Sequence, residues 1–230
     1  MLRSRTAILT LAALIAGGLP LTTVMADQPA TAADATETGF VSIFDGESLD
    51  GWKINEENAD SWSVEDGMIK VAGERSHMYH EGEFADVKDF HLKADVKVMP
   101  KGNSGIFFHT KYQSIGWPSF GHECQVNVSH YDPKKTSSLY DVVNVDAETL
   151  QEHGIEAGQW YEQEIIVEGK RVRLIVNGDT LVDYTEPDGD AREGAAEHPD
   201  RKISQGTFAL QAHDPGSVAY FKNIRVKALN

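Results

Sequence analysis

Arg171-Val-Arg-Leu-Ile-Val-Asn-Gly-Asp-Thr-Leu-Val-Asp-Tyr184 decides the fold class. Two runs rich in β-branched and apolar residues flank Asn177-Gly178, and a type I′ turn needs positive φ at both central residues, which Asn and Gly adopt most readily. The stretch is predicted to be a β-hairpin. Asp66-Gly67 offers a second turn of the same kind. Between them, Phe90, Leu92, Ala94, Val96 and Val98 alternate with His91, Lys93, Asp95 and Lys97, the period of two expected of a strand with one wet face.

The β pattern continues along the chain. Strands are predicted at Trp62 to Val64, Met68 to Val71, Gly105 to Lys111, His122 to Val128, Leu139 to Val145, Trp160 to Val167, Thr207 to His213 and Ala219 to Lys227. Only Asp146 to His153 offers a helical turn or two. Ten or more short strands separated by turn signals imply an all-β sandwich or barrel. The polar segment from Glu186 to Arg201, rich in Gly and Pro, is expected to be a long loop of the sort that forms lids or binding surfaces.

Arg3 and Arg5, an apolar stretch from Ala7 to Leu19 and the small-x-small pattern Val24-Met25-Ala26 read as a secretory signal peptide over residues 1–26. Residues 27–38, rich in Ala, Thr, Asp and Glu, read as a disordered leader, and residues 39–230 as one domain. Cleavage after Ala26 removes two arginines and no acid, taking the formal charge from -15 to -17. That charge disfavours nucleic acid and anionic membranes as partners. No later segment reaches the ~20 apolar residues that span a bilayer, so the expectation is a periplasmic or secreted protein. Its single cysteine, Cys124, forms no disulfide within the chain, so stability must come from core burial.

Three predicted strands carry polar residues where a sandwich strand would be apolar. In Gly121-His-Glu-Cys-Gln-Val-Asn-Val-Ser129, Glu123, Gln125 and Asn127 alternate with Cys124, Val126 and Val128. In Gly105-Ile-Phe-Phe-His109, period two puts Phe107, His109 and Lys111 on one face. In Phe208-Ala-Leu-Gln-Ala-His213, Gln211 and His213 share a face. If these faces line one sheet, Glu123, His109 and His213 converge with Gln125 and Gln211 around a polar ligand. Such a set suits proton transfer, and two His with one Glu equally suit a divalent metal. Asn103-Ser104 stands either as a turn or as a ligand-facing pair at the sheet rim. Tyr112, Trp117, Phe120 and Tyr140 flank the same strands as core or sugar-stacking aromatics.

Other signals point elsewhere. Asn127-Val-Ser129 matches a glycosylation acceptor on three residues only, and His77, His80 and His91 read as solvated. Glu162 and Glu164 share a strand face without the spacing a two-carboxylate glycosidase would use.

Gly39-Phe-Val-Ser-Ile-Phe-Asp-Gly-Glu-Ser-Leu-Asp-Gly-Trp52, Trp62-Ser-Val-Glu-Asp-Gly67, Gly102-Asn-Ser-Gly-Ile106, Glu123 with Gln125, Trp160-Tyr-Glu162, Val176-Asn-Gly178, Ala209-Leu-Gln-Ala-His213 and Phe221-Lys-Asn-Ile-Arg225 occur in this order. Together they resemble the 3-keto-disaccharide hydrolase family over Gly39 to Leu229. The resemblance implies a concanavalin A-like jelly roll of two curved antiparallel sheets, with a site at Asn103, Glu123, Gln125, Tyr140, Gln211 and His213. His109 and Lys222 stand where members often carry Arg. The implied activity is cleavage of glycosides already oxidised at C3. There Glu123 or His213 would be the base, His109 or a divalent ion would polarise the ketone, and Asn103, Gln125 and Gln211, with Trp117, Tyr140 and Lys222, would hold the sugar. The rival expectation is a non-catalytic, lectin-like carbohydrate-binding module, which needs the polar face and the aromatics and no base.

Overall fold

The computed structural model describes residues 37–189 and 198–229. Among them are thirteen strands and one α-helix: β1 (Val41–Ser42), β2 (Trp52–Ile54), β3 (Trp62–Glu65), β4 (Met68–Ala72), β5 (Ser76–His80), β6 (Phe90–Val98), β7 (Ser104–Thr110), β8 (His122–Val126), α1 (Ala147–Glu152), β9 (Tyr161–Glu168), β10 (Arg171–Val176), β11 (Asp179–Thr185), β12 (Thr207–Ala212) and β13 (Val218–Ala228). They form two antiparallel sheets. The larger runs β11-β10-β9-β6-β13-β4-β3 with β1 on β13, and the smaller runs β2-β5-β12-β7-β8. This is the jelly-roll sandwich that the strand pattern and the resemblance imply.

The core lies between the sheets and follows the alternation. Phe90, Leu92, Ala94, Val96 and Val98 of β6 are buried against Met78, Ile106, Phe108, Cys124, Phe208 and Leu210 of the smaller sheet. Each large apolar side chain so buried is worth about 1.5–3 kcal/mol relative to exposure. The other face of β6 is polar and paired. Lys93 lies 3.5 Å from Glu164 and 3.9 Å from Glu162, and His91 Nε2 lies 2.6 Å from Glu164 Oε2. Glu162 and Glu164 therefore belong to an ion-pair cluster on the outer face of the larger sheet. His91 belongs to it too, and is not simply solvated.

Turn chemistry holds where the sequence is explicit. Asn177 (φ 51°) and Gly178 (φ 89°) close the β10–β11 hairpin, and Asp66 (φ 50°) with Gly67 (φ 76°) closes β3–β4. Asp146 caps α1, its carboxylate accepting the Thr149 amide at 2.9 Å.

Other expectations change. Leu139 to Val145 is not a strand: left-handed φ at Ser137 and Asp141 folds this segment back on itself, leaving bridges at Leu139 with Cys124 and with Val143. The segment still covers the edge of β8, through Ser137 N–H to Gln125 O at 2.9 Å and Tyr140 N–H to Glu123 O at 3.0 Å. β5 was not foreseen, because its five residues Ser-His-Met-Tyr-His are all buried and show no alternation. His77 and His80 are consequently buried, not solvated. Asn127 is buried as well. Its amide donates to Lys134 O at 2.8 Å and Asp132 O at 3.1 Å and its carbonyl accepts from His130 N–H, so it organises a loop and offers no glycosylation surface.

The expected signal peptide lies outside the described residues, as does the leader up to residue 36. Glu37 already belongs with the folded part, pairing with Lys93 at 2.7 Å and Arg225 at 3.3 Å. Among the described residues, no helix is long and apolar enough to cross a membrane.

Candidate functional site

The smaller sheet turns its second face away from the core, and its register lays the site out in rows. Tyr79, Ala209, Phe107 and Glu123 are successive partners across β5, β12, β7 and β8; in the next row His77 faces Gln211 and Gly105 faces Gln125. Asn103 lies just before β7 and His213 just after β12. Loops supply the walls: Trp117 and Pro118 on one side, Asp132, Tyr140 and Asp141 on another, and His198 and Arg201 from the long loop after β11. They enclose a cavity of about 350 Å³, of the size that holds small ligands.

Glu123 sits at the floor. Its Oε1 accepts from Gln211 Nε2 at 3.0 Å. The Gln125 carboxamide finds complementary partners only with its nitrogen turned towards Ser104 O at 2.8 Å, Asn103 Oδ1 at 3.3 Å and Glu123 Oε1 at 3.3 Å. Two amides thus converge on Oε1, and the proton of the neutral acid belongs on Oε2. Burial, with a smaller push from Asp132 and Asp141, raises the Glu123 carboxyl to about 8 against the opposing pull of Arg201 and Gln211. A carboxylic acid kept neutral near pH 7 is a donor, not a base.

His213 stands in the opposite condition. Its Nδ1 lies 2.7 Å from Asp214 Oδ2, which also accepts from Ser217 Oγ at 2.8 Å, while Asp214 Oδ1 accepts the Gly216 amide at 2.8 Å. The surroundings hold the Asp214 carboxyl below the usual range, because its bonds to His213, Ser217 and Gly216 outweigh the cost of burial. In the neutral ring Nδ1–H therefore donates to a carboxylate, and the lone pair is on Nε2. The ring packs against Trp117, centroids 5.3 Å apart.

Seven of the nine candidates from the sequence line this cavity: Asn103, Trp117, Glu123, Gln125, Tyr140, Gln211 and His213. Tyr140 reaches it from the segment covering β8, its hydroxyl donating to Asp132 at 3.3 Å. His109 does not line it. The β7–β12 register shifts at a bulge between Thr207 and Ala209, and His109 takes a φ of 54° there, so the alternation fails. The ring turns to Phe90 and Phe108 in the core, its Nε2–H donating to Lys88 O at 2.7 Å and its Nδ1 accepting Ser204 N–H at 3.2 Å. Desolvation lowers it to about 4, so it stays neutral. Lys222 is also elsewhere: it pairs in register with Asp95 on the outer face of the larger sheet and sits 4.2 Å over the Trp160 ring. A strand of the other sheet cannot reach this floor.

Asp132 and Asp141 were missed because they lie on loops, where periodicity carries no signal; His198 and Arg201 belong to the long loop expected to form a lid or binding surface, although neither residue was singled out within it. The Asp-x-Gly-Ser run after His213 was the one local clue to Asp214, since an Asx-type turn fixes that carboxylate. Ligand atoms of His130, His213 and Asp214 lie within 4.8 Å of one another, the only such grouping among the described residues. The hydrogen bonds of one of the three, His130, do not suit a cation. His130 Nδ1 faces two donors, Asp132 N–H and the Asn103 amide, each at 3.3 Å, so its neutral ring carries hydrogen on Nε2, the atom 3.7 Å from Asp214.

Comparison with known proteins agrees with this architecture. A chain from Parabacteroides distasonis ATCC 8503, described as a candidate glycosyl hydrolase, superposes with a TM-score of 0.68 at 24% identity, covering 84% of this chain and 94% of that one. A Bacillus subtilis protein of unknown function with a galectin-like fold superposes at 0.51 and 10% identity, covering 76% and 88%. In sequence, the 3-keto-disaccharide hydrolase of Bacteroides thetaiotaomicron is 26% identical over 235 residues, 84% of this chain and 79% of the relative. The profile of the 3-keto-alpha-glucoside-1,2-lyase-like domain matches residues 39–227, which span both sheets and every residue of the cavity, and the chain belongs to that family.

Proposed function

We propose that this chain is an exported enzyme that cleaves 3-keto glycosides, among them 3-keto-disaccharides, by removing the proton at C2. The observation that carries this reading is the presence in one cavity of a carboxyl kept neutral, Glu123, and an imidazole whose Nδ1 is tied to a carboxylate, His213. A ketone at C3 acidifies the C2 hydrogen, and the reaction then needs one base and one donor to the oxygen that becomes anionic.

In this mechanism His213 Nε2 takes the C2 proton and the electron pair moves on to the C3 oxygen, where Glu123 Oε2–H donates to the enolate. The enolate collapses, a C1–C2 double bond forms and the C1–oxygen bond breaks. The departing oxygen leaves with the bonding pair and is protonated by the imidazolium. Addition of water across the double bond completes hydrolysis; without it the enzyme is a lyase. Asn103, Gln125 and Gln211 supply hydrogen-bonding groups for hydroxyls, and Trp117, 45% exposed, offers its ring to the leaving group. No step uses a metal ion.

The test is incubation of the chain without residues 1–26 with a 3-keto glucoside and with the parent glucoside, each with and without chelator. Sugar release from the 3-keto compound alone, unaffected by chelator, is the expected result. The exposed Trp117 beside a polar floor equally suits a lectin, and retention on the immobilised 3-keto sugar without turnover would establish that second reading.

A further inference from the structure

We propose that Asp214 is a positioning residue: its carboxylate fixes the tautomer of His213, with the His130 ring packed beside the pair, so that the three residues form an orienting cluster and not a metal site. The inference rests on His213 acting as the base. Its evidence is separate, since it lies in the hydrogen bonds of the cluster.

Asp214 receives three donors. Gly216 N–H and Ser217 O–H, from the same turn, hold its two oxygens at 2.8 Å, and His213 Nδ1–H lies at 2.7 Å on Oδ2. His130 Nε2 lies 3.7 Å from that same oxygen, beyond hydrogen-bond distance. A carboxylate so held cannot rotate away, and Ser217 extends the support further, its Oγ also accepting the Asn103 amide N–H at 2.9 Å. The turn after β12 is thereby locked to the start of β7, fixing Asn103 and His213 on either side of the floor.

The tautomer is chemically decisive. An imidazole with hydrogen on Nδ1 offers Nε2 as a base; one with hydrogen on Nε2 offers nothing that can accept the C2 proton. The groups facing His213 are Asp214, His130, Trp117 and His77, with Glu123 and Asp132 across the cavity. Among those nearest it, only Asp214 is an anion in hydrogen-bond contact with the ring. His130 lies with its ring centroid 5.4 Å from that of His213, and both desolvation and the charge that His213 would carry hold it below the ordinary histidine range. A neutral His130 packs beside the pair without adding a cation next to the base.

The experiment is Asp214→Asn in the chain without residues 1–26, read by ¹⁵N NMR of the His213 ring and by steady-state kinetics. The carboxamide nitrogen can donate to Nδ1, so the ring should switch to the Nε2–H tautomer, and kcat should fall by about 100-fold or more while KM changes about twofold or less. Asp214→Glu should return the Nδ1–H tautomer and part of kcat. Ser217→Ala, which leaves the carboxylate in place, guards against misfolding and should leave the wild-type tautomer with a smaller loss in kcat. An unchanged His213 tautomer in Asp214→Asn overturns the proposal, as does selective broadening of the His130 and His213 resonances by Mn²⁺ at micromolar concentration. If the wild-type chain turns over no 3-keto glycoside, the catalytic reading falls, and the NMR result still decides whether Asp214 sets the tautomer.

Discussion

Gly105 lies directly beneath the carboxylate of Glu123: a Cβ at position 105 would stand 2.1 Å from Glu123 Oε1 and 2.9 Å from its carboxyl carbon. The absence of a side chain on β7 is what lets the acid of β8 lie flat across the sheet and reach Gln211 on β12.

Gly105→Ala should therefore move the acid without unfolding the strand, since the clash is with the free end of a side chain. A misplacement of that size costs about 100-fold in kcat/KM. The variant should keep the wild-type circular dichroism spectrum and lose activity on 3-keto glycosides.

Glu123 predicts two pH effects. Its folded-state value, about 8, lies above the unfolded value of 4.5, so the folded state binds more protons between these limits. Stability then falls as pH rises from about 4.5 to 8, and the penalty is complete above 8. Glu123→Gln, neutral throughout, should lose this dependence, seen as a denaturation midpoint that gains on wild type from pH 5 to pH 9. In wild type, kcat/KM should fall through about pH 8 as the donor ionises.

Arg201 pulls against that elevation. Arg201→Met should shift the alkaline limb of the kcat/KM profile upwards, since the neutral acid loses its strongest opponent. A limb that moves down would remove Arg201 from the electrostatics of the site.

His109→Leu should act on stability. It leaves Lys88 O and Ser204 N–H without the ring that bridges them, a loss of about 1 kcal/mol for part-buried hydrogen bonds, measurable by urea unfolding. The C2 proton of a 3-keto glycoside should still exchange with solvent in this variant, because the ring does not line the cavity.

Trp117→Ala should raise KM about fivefold, the value of roughly 1 kcal/mol of aromatic stacking, with a smaller change in kcat. An unaltered KM would place the leaving group elsewhere.

Period-two alternation and Asn-Gly chemistry made most of the fold legible, because both are local: Phe90 to Val98 and the Arg171 to Tyr184 hairpin stand where they were expected. Legibility ended where a strand is covered on both faces, as at His77 to Tyr79, and where one added residue changes the phase, as at His109. The floor of the site was readable for the same reason as the fold, since Glu123, Gln125 and Gln211 obey the pleat. Its walls were readable only in part: Trp117 and Tyr140 could be named and the loop ending at Arg201 could be expected to bind, but that Asp132, His198 and Arg201 reach the cavity depends on loop geometry that no spacing encodes.

Cys124 occupies the reverse side of the strand position next to Glu123, sealed between the sheets with its thiol pushed up by burial. The chain thus carries an internal clock for the integrity of its own floor. A maleimide can reach this sulfur only when β8 separates from the larger sheet, so the labelling rate counts openings of the sandwich at the point where the acid is mounted. A sugar that braces Glu123 from the cavity side should slow that count without ever touching the sulfur.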